Sequence, residues 1–415
     1  MSLTPQQITI IKATVPVVQE HGNAITTLFY KNILDAIPAL NNIFNQTNQK
    51  NEAQPRALAG ALAAYAANID NLAVLSDAVE RICQKHASLF IKPEHYPIVG
   101  KYLLEAMGDV LGAALKPEIL DAWTAAYGQL AKIMIDREAQ LYSEAGEWKE
   151  WRDFKIAKKV DESSIITSFY LEPVDGKPLP LFKPGQYISV QVHVPQLGYL
   201  QSRQYSLSDQ PNEKYYRISV KREDALESPA LNTLFEAGLI SNTLHSTKNE
   251  GDIVQVSPPQ GEFFLDLTKN ATSPVILISA GVGITPMISI LNTLVEMGSR
   301  RPISYIHAAR SKEVHAFDKH VQGIVTSHSN IKSWVFVKNL PVDDDGIQTQ
   351  HLARRMDLSK IREEALHLED SGTTYFICGP GRFMLDMRRA LWGYGVAEER
   401  IKLEVFGTGD ADVGL

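Results

Sequence analysis

The spacing of apolar residues changes twice along the 415-residue chain, which excludes a fold built from one kind of layer. Up to about residue 147 every periodic segment repeats at helical spacing, from "TPQQITIIKATVPVVQEHG" and "AITTLFYKNILDAI" through "AQPRALAGALAAYAANI" to "KPEILDAWTAAYGQLAKIMIDREAQLYSEA". Each stretch reads as a helix, and together they predict an all-α domain. From about 152 to 267 the pattern becomes short alternating strands punctuated by Pro and Gly, such as "KPGQYISVQVHV" and "YYRISVKRE". That pattern predicts a closed antiparallel β-barrel, interrupted by one helical insert, "ALNTLFEAGLISNTLHS". After 273 the strands become continuously apolar, as in "PVILISA", "ISYIHAA" and "TYFICGP", and alternate with helical stretches. Strands buried on both faces read this way, so an α/β domain with a parallel sheet is expected. The expected division is 1–147, 148–268 and 269–415, with "GEWKEWRDFK" at the first junction.

Composition narrows the partners. A net charge of −7 gives no electrostatic reason to expect nucleic acid or an anionic membrane surface. No run reaches the length of a membrane span. The two cysteines, Cys83 and Cys378, lie far apart in apolar runs, so a reducing compartment is expected rather than a disulfide framework. The start lacks the pattern of a signal or transit peptide, which predicts a cytosolic protein, with mitochondrial residence left open.

Three stretches carry chemistry. In "ERICQKHASLF" helical spacing places Val79, Ile82, Cys83, His86 and Phe90 on one face. The imidazole is either a core histidine with a satisfied hydrogen bond or a metal ligand. In "PVILISAGVGITPM" a buried strand runs into Gly281 and Gly283 and then an amphipathic helix, where glycine lets the backbone approach a phosphate. A second turn, "FICGPGRFM", repeats the arrangement at another strand end. Two such turns on one sheet point to a dinucleotide site, although each alone fits a ligand-free tight turn. The barrel segment "RQYS" offers a guanidinium fork for a pyrophosphate, a flat phenol for a ring system and a short hydroxyl for a ring nitrogen.

Together "RQYS", "GVGITPM", "CGP" and the late "EVFG" resemble the ferredoxin-reductase-like flavoproteins. That resemblance implies FAD in the barrel, with Arg203 on its pyrophosphate, Gln204 in the same run, Tyr205 packed on the flavin and Ser206 at its reactive nitrogen edge. Tyr187 would contact the adenine side, and Gly238 with Ser241 in "AGLIS", or alternatively "ESPAL", would make the second phosphate contact. The nicotinamide dinucleotide would lie on Gly281, Val282, Gly283, Ile284, Thr285 and Pro286, and on Cys378, Gly379 and Pro380. The segment Glu404, Val405, Phe406, Gly407, Thr408 would close the flavin edge.

The helical part resembles a globin, and a globin joined to such a reductase resembles the flavohemoglobins across essentially the whole chain. This implies heme b on His86, with Lys85 beside it, Phe44 wedged against the heme, and Tyr30, Gln54 and Leu58 over the bound gas. Tyr96 and Glu138 would form a proximal relay with His86, and Glu138 falls with Met134 and Leu141 on the apolar face of the last globin helix. A buried carboxylate there is costly unless something donates to it. The implied activity is nitric oxide dioxygenation: electrons pass from NADH or NADPH through FAD to heme, and NO and O2 give nitrate. Lys85 and Glu404 would tune the heme and flavin potentials by charge. Arg310 either reaches a ribose phosphate and favours NADPH or is a solvated charge, and NADH is the expected donor.

A monomer is expected. Phrases such as "IKPEHYPIVG" resemble fungal members. Thr408 stands where the family commonly has proline, and 223–248 is longer than the shortest members need. Alkyl hydroperoxide reduction, favoured by a lipid in the distal pocket, would use the same electron path; an oxygen carrier would need no reductase, and a plain flavin reductase would need no globin.

Overall fold

The computed structural model describes residues 3–228, 233–338, 350–352, 355–361 and 363–407. Its helical part comprises α1 (Pro5–Ala13), α2 (Val15–Ala36), α3 (Gln46–Lys50), α4 (Ala53–Ala67), α5 (Ser76–Ser88), α6 (His95–Leu111) and α7 (Pro117–Glu144). Thr4 and Gln7 cap α1 reciprocally, each side chain taking the other's backbone N–H at 3.0 to 3.2 Å. The first two expected helices are divided differently. The chain breaks at Thr14, where Pro16 opens the first turn of α2, and α2 then runs through the second segment without interruption. Proline lacks the N–H an interior turn needs but is tolerated at a helix start, so it moved the boundary. Ile11, Ile25, Phe29, Ile33 and Trp123 fill the core between these helices.

Strands β1 (Arg152–Asp161), β2 (Ile166–Pro173), β3 (Tyr187–Val194), β4 (Tyr199–Ser206), β5 (Tyr216–Lys221), β6 (Leu226–Ser228), β7 (Thr233–Phe235) and β8 (Ile253–Val256) follow, with α8 (Leu239–Ser246) before the last. The main sheet is antiparallel in the order β4-β3-β8-β1-β2-β5, and a bridge between Leu207 and Ile218 brings its outer strands together. The expected helical insert is only half helical. Within it Thr233–Phe235 forms β7, which pairs with β6 upstream of the insert, Leu226 opposite Phe235, and the helix begins after Gly238 in extended backbone.

The last part comprises β9 (Val275–Ala280), α9 (Ile284–Glu296), β10 (Ile303–Ala309), α10 (Asp318–Ser327), β11 (Ile331–Val337), β12 (Gln350–Leu352), α11 (Glu363–Leu366), β13 (Thr374–Cys378), α12 (Gly381–Gly393) and β14 (Ile401–Glu404). The sheet is parallel, ordered β12-β11-β10-β9-β13-β14. Chain order reverses between β9 and β13, so the crevice at their carboxyl ends is where such a sheet takes ligands, and both glycine turns lie there. Helix α9 is buried throughout Ile284–Leu294 rather than amphipathic, because the barrel covers the face the sheet leaves. Ser289 Oγ donates to the Asp209 carbonyl and Asn292 Nδ2 to its carboxylate, both at 2.8 Å. Among the described residues no helix is long and apolar enough to cross a membrane, and Cys83 and Cys378 are buried and unpaired with each other.

Candidate functional site

The helical part holds a largely apolar cavity of about 240 Å³, and His86 is one of its few polar linings. Helix α5 brings the imidazole there and stops soon after. Phe90, expected on the same face, instead takes left-handed backbone (φ 54°) and meets Trp151 edge-on at 5.3 Å. Behind the ring, His86 Nδ1 lies 2.8 Å from Glu138 Oε1 and 3.2 Å from the Tyr96 hydroxyl, which donates to the same carboxylate oxygen at 2.5 Å. Glu138 is 2% exposed, so the buried carboxylate has the donors its desolvation demands. Its acceptor role also drives the Tyr96 phenol far above its ordinary pKa, after burial as the larger cause. Nδ1 is committed to the carboxylate, and Nε2, on the ring's far side, faces the cavity. A largely apolar chamber with an imidazole whose Nδ1 is already held by a carboxylate fits a heme.

On the opposite wall stand Tyr30, Phe44, Gln54 and Leu58. Phe44 meets the Tyr30 ring edge-on at 5.5 Å. Burial raises the Tyr30 phenol well above its ordinary pKa, and a hydrogen bond with Gln54 opposes the rise. Gln54 Oε1 accepts from Gln49 Nε2 at 3.0 Å. With its oxygen taken by Gln49, the Gln54 side chain has its amide N–H groups left to donate, and donation to the Tyr30 oxygen would leave the phenol proton for the cavity. Gln49 was not singled out from sequence, since nothing in "TNQKNEAQP" marks which glutamine backs the other.

A second cavity, about 260 Å³, opens where the helical, barrel and α/β parts meet. Its wall holds Arg203, Gln204, Tyr205 and Ser206 of β4, Gly238 and Ser241 at the start of α8, and Phe406. "AGLIS" is therefore at the cavity; of "ESPAL", residues 229–231 lie outside the described residues. The Ser206 hydroxyl is buried with no hydrogen-bond partner among the described residues, and Phe406 shows 47% of its surface to the space. A cationic side chain, an orphaned hydroxyl and an uncovered ring suit a flavin nucleotide. Sequence reasoning missed Lys221, a second cation, and Asn45, Thr47 and Asn48, which the helical part contributes to this wall. Local motifs carry no signal for a wall supplied by another domain. Thr408 lies outside the described residues.

The two glycine turns differ in role. Gly281 is exposed at φ +56°, with open space where a side chain would stand, and suits close approach by a phosphate. A Cβ on Gly283 would lie 2.3 Å from the Cys378 carbonyl oxygen, so Gly283 lets the two turns pack against each other rather than facing a ligand. Gly379 and the exposed Pro380 complete that junction at the start of α12. Ile284 and Pro286 are buried in α9, whereas Val282 and Thr285, expected at the dinucleotide, line the flavin cavity. Arg310 is exposed just after β10.

Tyr187 stands apart from the flavin cavity. It is buried between α5 and the barrel, where burial first and the nearby Glu262 and Glu404 next push its phenol well above its ordinary pKa, against a hydrogen bond with Ser88. The same junction carries a chain of hydrogen bonds from Gln204 Nε2 to Ser189 Oγ (3.0 Å), Ser189 to Ser88 Oγ (2.9 Å) and Ser88 to the Lys85 carbonyl (2.8 Å). Burial lowers the pKa of the Lys85 amine, with Arg203 adding repulsion. Glu404 is 8% exposed, and burial with the nearby Glu262 pushes its carboxyl well up against the pull of Arg81. Val405 and Gly407 flank Phe406 at the chain's exit from β14.

Comparison with known proteins agrees with this division. Residues 27–134 match the globin family, and 277–389 match the oxidoreductase NAD-binding domain. The flavohemoprotein of Bordetella pertussis is 48% identical over 412 residues, covering 98% of this chain and 99% of that protein. A crystal structure of flavohemoglobin from Malassezia yamatoensis with bound FAD and heme is 29% identical, with a TM-score of 0.84 over 98% of this chain and 100% of that one. The FAD/NAD-binding domain of nitric oxide dioxygenase from Vibrio cholerae is 35% identical, with a TM-score of 0.54 over 62% of this chain and 98% of that one. A match of this length and identity, with both cavities in place, shows that the chain belongs to the flavohemoproteins, oxidoreductases that join a globin to a flavin reductase module.

Proposed function

We propose that this flavohemoprotein is a nitric oxide dioxygenase that detoxifies NO in the cytoplasm, acting as a monomer with heme b, FAD and NADH. When bound, FAD would supply the conversion of a hydride from the nicotinamide into single electrons, and heme would supply the iron at which NO and O2 react to give nitrate.

The chain's own residues prepare that chemistry. His86 Nε2 would hold the iron. The Glu138 carboxylate accepts at Nδ1 while Tyr96 holds the same oxygen in place, so the imidazole donates more strongly through Nε2. Tyr30 would give its proton as a hydrogen bond to a gas on the open side, with Gln54 steadying its oxygen and Phe44 and Leu58 keeping water out. Arg203 and Lys221 supply positive charge for a pyrophosphate, Ser206 a hydrogen bond to the flavin edge, and Phe406 a ring to cover it. Gly281 and the first turn of α12 would receive the nicotinamide dinucleotide.

The observation that carries the reading is the carboxylate and phenol joined at His86 Nδ1. A gas store has no need to strengthen the imidazole, whereas chemistry on O2 does. The Vibrio cholerae protein's name supports the choice of reaction. The test is NO loss on an electrode with purified protein, FAD, NADH and air. Fast loss that requires both NADH and O2 and yields nitrate is expected. Loss at the buffer rate, with heme still reduced by NADH, would overturn the substrate and turn attention to peroxides.

A further inference from the structure

Helix α3 touches both cavities at once. Its cap and first turn, Asn45, Thr47 and Asn48, form part of the flavin cavity wall, and Arg203 Nη2 donates to Thr47 Oγ1 at 3.3 Å. The Asn45 side chain caps the helix by accepting from Thr47 N at 3.0 Å and Asn48 N at 3.3 Å. Thr47 and Gln49 are two residues apart, about 200° around a helix, so Gln49 leaves on the opposite side. There it donates to Gln54 Oε1 in the distal heme wall. Strand β4 holds the start of α3 and the segment before it as well: Gln201 Oε1 accepts from Gln46 N at 3.1 Å, and Gln201 Nε2 donates to the carbonyls of Asn41 (2.8 Å) and Phe44 (3.3 Å). Five helical residues cannot hold a conformation alone, so what α3 touches at each end sets its position.

We propose that α3 couples occupancy of the flavin cavity to the distal heme pocket, with Gln49 as the positioning residue. A pyrophosphate on Arg203 seats α3 against it, and Gln49 then holds the Gln54 amide so that the Tyr30 proton stays available to a heme ligand. Without that seat α3 drifts, Gln54 loses its backing, and the hydrogen bond from Tyr30 to the ligand weakens. The inference rests on heme and FAD occupying the two cavities and not on which substrate is consumed.

Two sites coupled in this way must be coupled reciprocally. The test uses the full-length protein in the ferrous, carbon monoxide-bound form, stripped of FAD and then titrated with it, and no nitric oxide. A hydrogen bond to the CO oxygen lowers the C–O stretching frequency, so FAD is expected to move the infrared band downward. FAD should also bind about fivefold or more tightly to the CO form than to the ligand-free ferrous form. In Gln49→Leu the band should stay at its FAD-free frequency whether or not FAD is present, with the two FAD affinities equal. Gln49→Glu, which keeps the length but cannot donate, should behave like Gln49→Leu, which separates donation from packing. A band and an FAD affinity that ignore the other site in the unsubstituted protein would overturn the proposal, and so would an undiminished response in Gln49→Leu. Because the experiment involves no turnover, it can fail while the dioxygenase reading stands.

Discussion

On one side of the heme cavity the imidazole is gripped by two polar groups from two other helices, Tyr96 of α6 and Glu138 of α7, all within 3.2 Å and in the dry interior. On the other side Tyr30 is opposed by Gln54, which accepts in turn from Gln49 of a five-residue helix. The first arrangement is fixed by long helices whose packing positions the polar groups. The second hangs on a short segment that another domain supports. Such a division would suit the proposed roles, with His86 as a fixed iron ligand and the opposite face admitting, holding and releasing small molecules.

Substitutions should separate the two faces by size of effect. Glu138→Gln keeps the shape but removes the charge behind Nδ1, and a roughly 10–100-fold fall in NO turnover is expected at unchanged heme content, measured on the electrode. On the distal face Tyr30→Phe removes one neutral hydrogen bond, about 1 kcal/mol, so O2 should leave about fivefold faster in stopped flow. An effect of Tyr30→Phe on turnover larger than that of Glu138→Gln would invert the comparison.

Smaller effects belong to the junction between domains. Folding raises the Glu404 pKa, so the folded state holds that proton more tightly than the unfolded chain. Its stabilising contribution is therefore full below the ordinary value of 4.5 and is lost as pH rises toward the elevated one. Glu404→Gln should raise the Tm at pH 8 by roughly 2 °C or more and change it far less at pH 4.5. Arg81 pairs with Glu262 at 3.1 Å, with 43% and 30% of the side chains exposed, so Arg81→Ala should alter stability by less than about 1 kcal/mol.

The three layers were legible because each strand or helix type imposes its own spacing, and the parallel sheet showed itself in runs such as "PVILISA" that only burial on both faces explains. Local exceptions were not. Pro16 moved a helix boundary, and residues of the "ALNTLF" stretch entered a ribbon because pairing partners, not propensity, decide a short segment. At the site, residues within one motif could be read, and His86, Tyr96 and Glu138 could be assembled through a resemblance. What no motif encodes is proximity between domains. Thus Asn45, Thr47 and Asn48 in the flavin wall, Tyr187 beside α5 and the barrel's cover over α9 emerged only from the fold.

The claim at the centre is that Glu138 strengthens the imidazole bond to iron. The direct measurement is the iron–histidine stretching frequency by resonance Raman in the ferrous, ligand-free protein, compared between the unsubstituted chain and Glu138→Gln. A clear downshift in the variant is expected, with Tyr30→Phe leaving the frequency where it was. An unchanged frequency in Glu138→Gln would contradict the account, because the carboxylate would then be holding the fold and not the iron's reactivity.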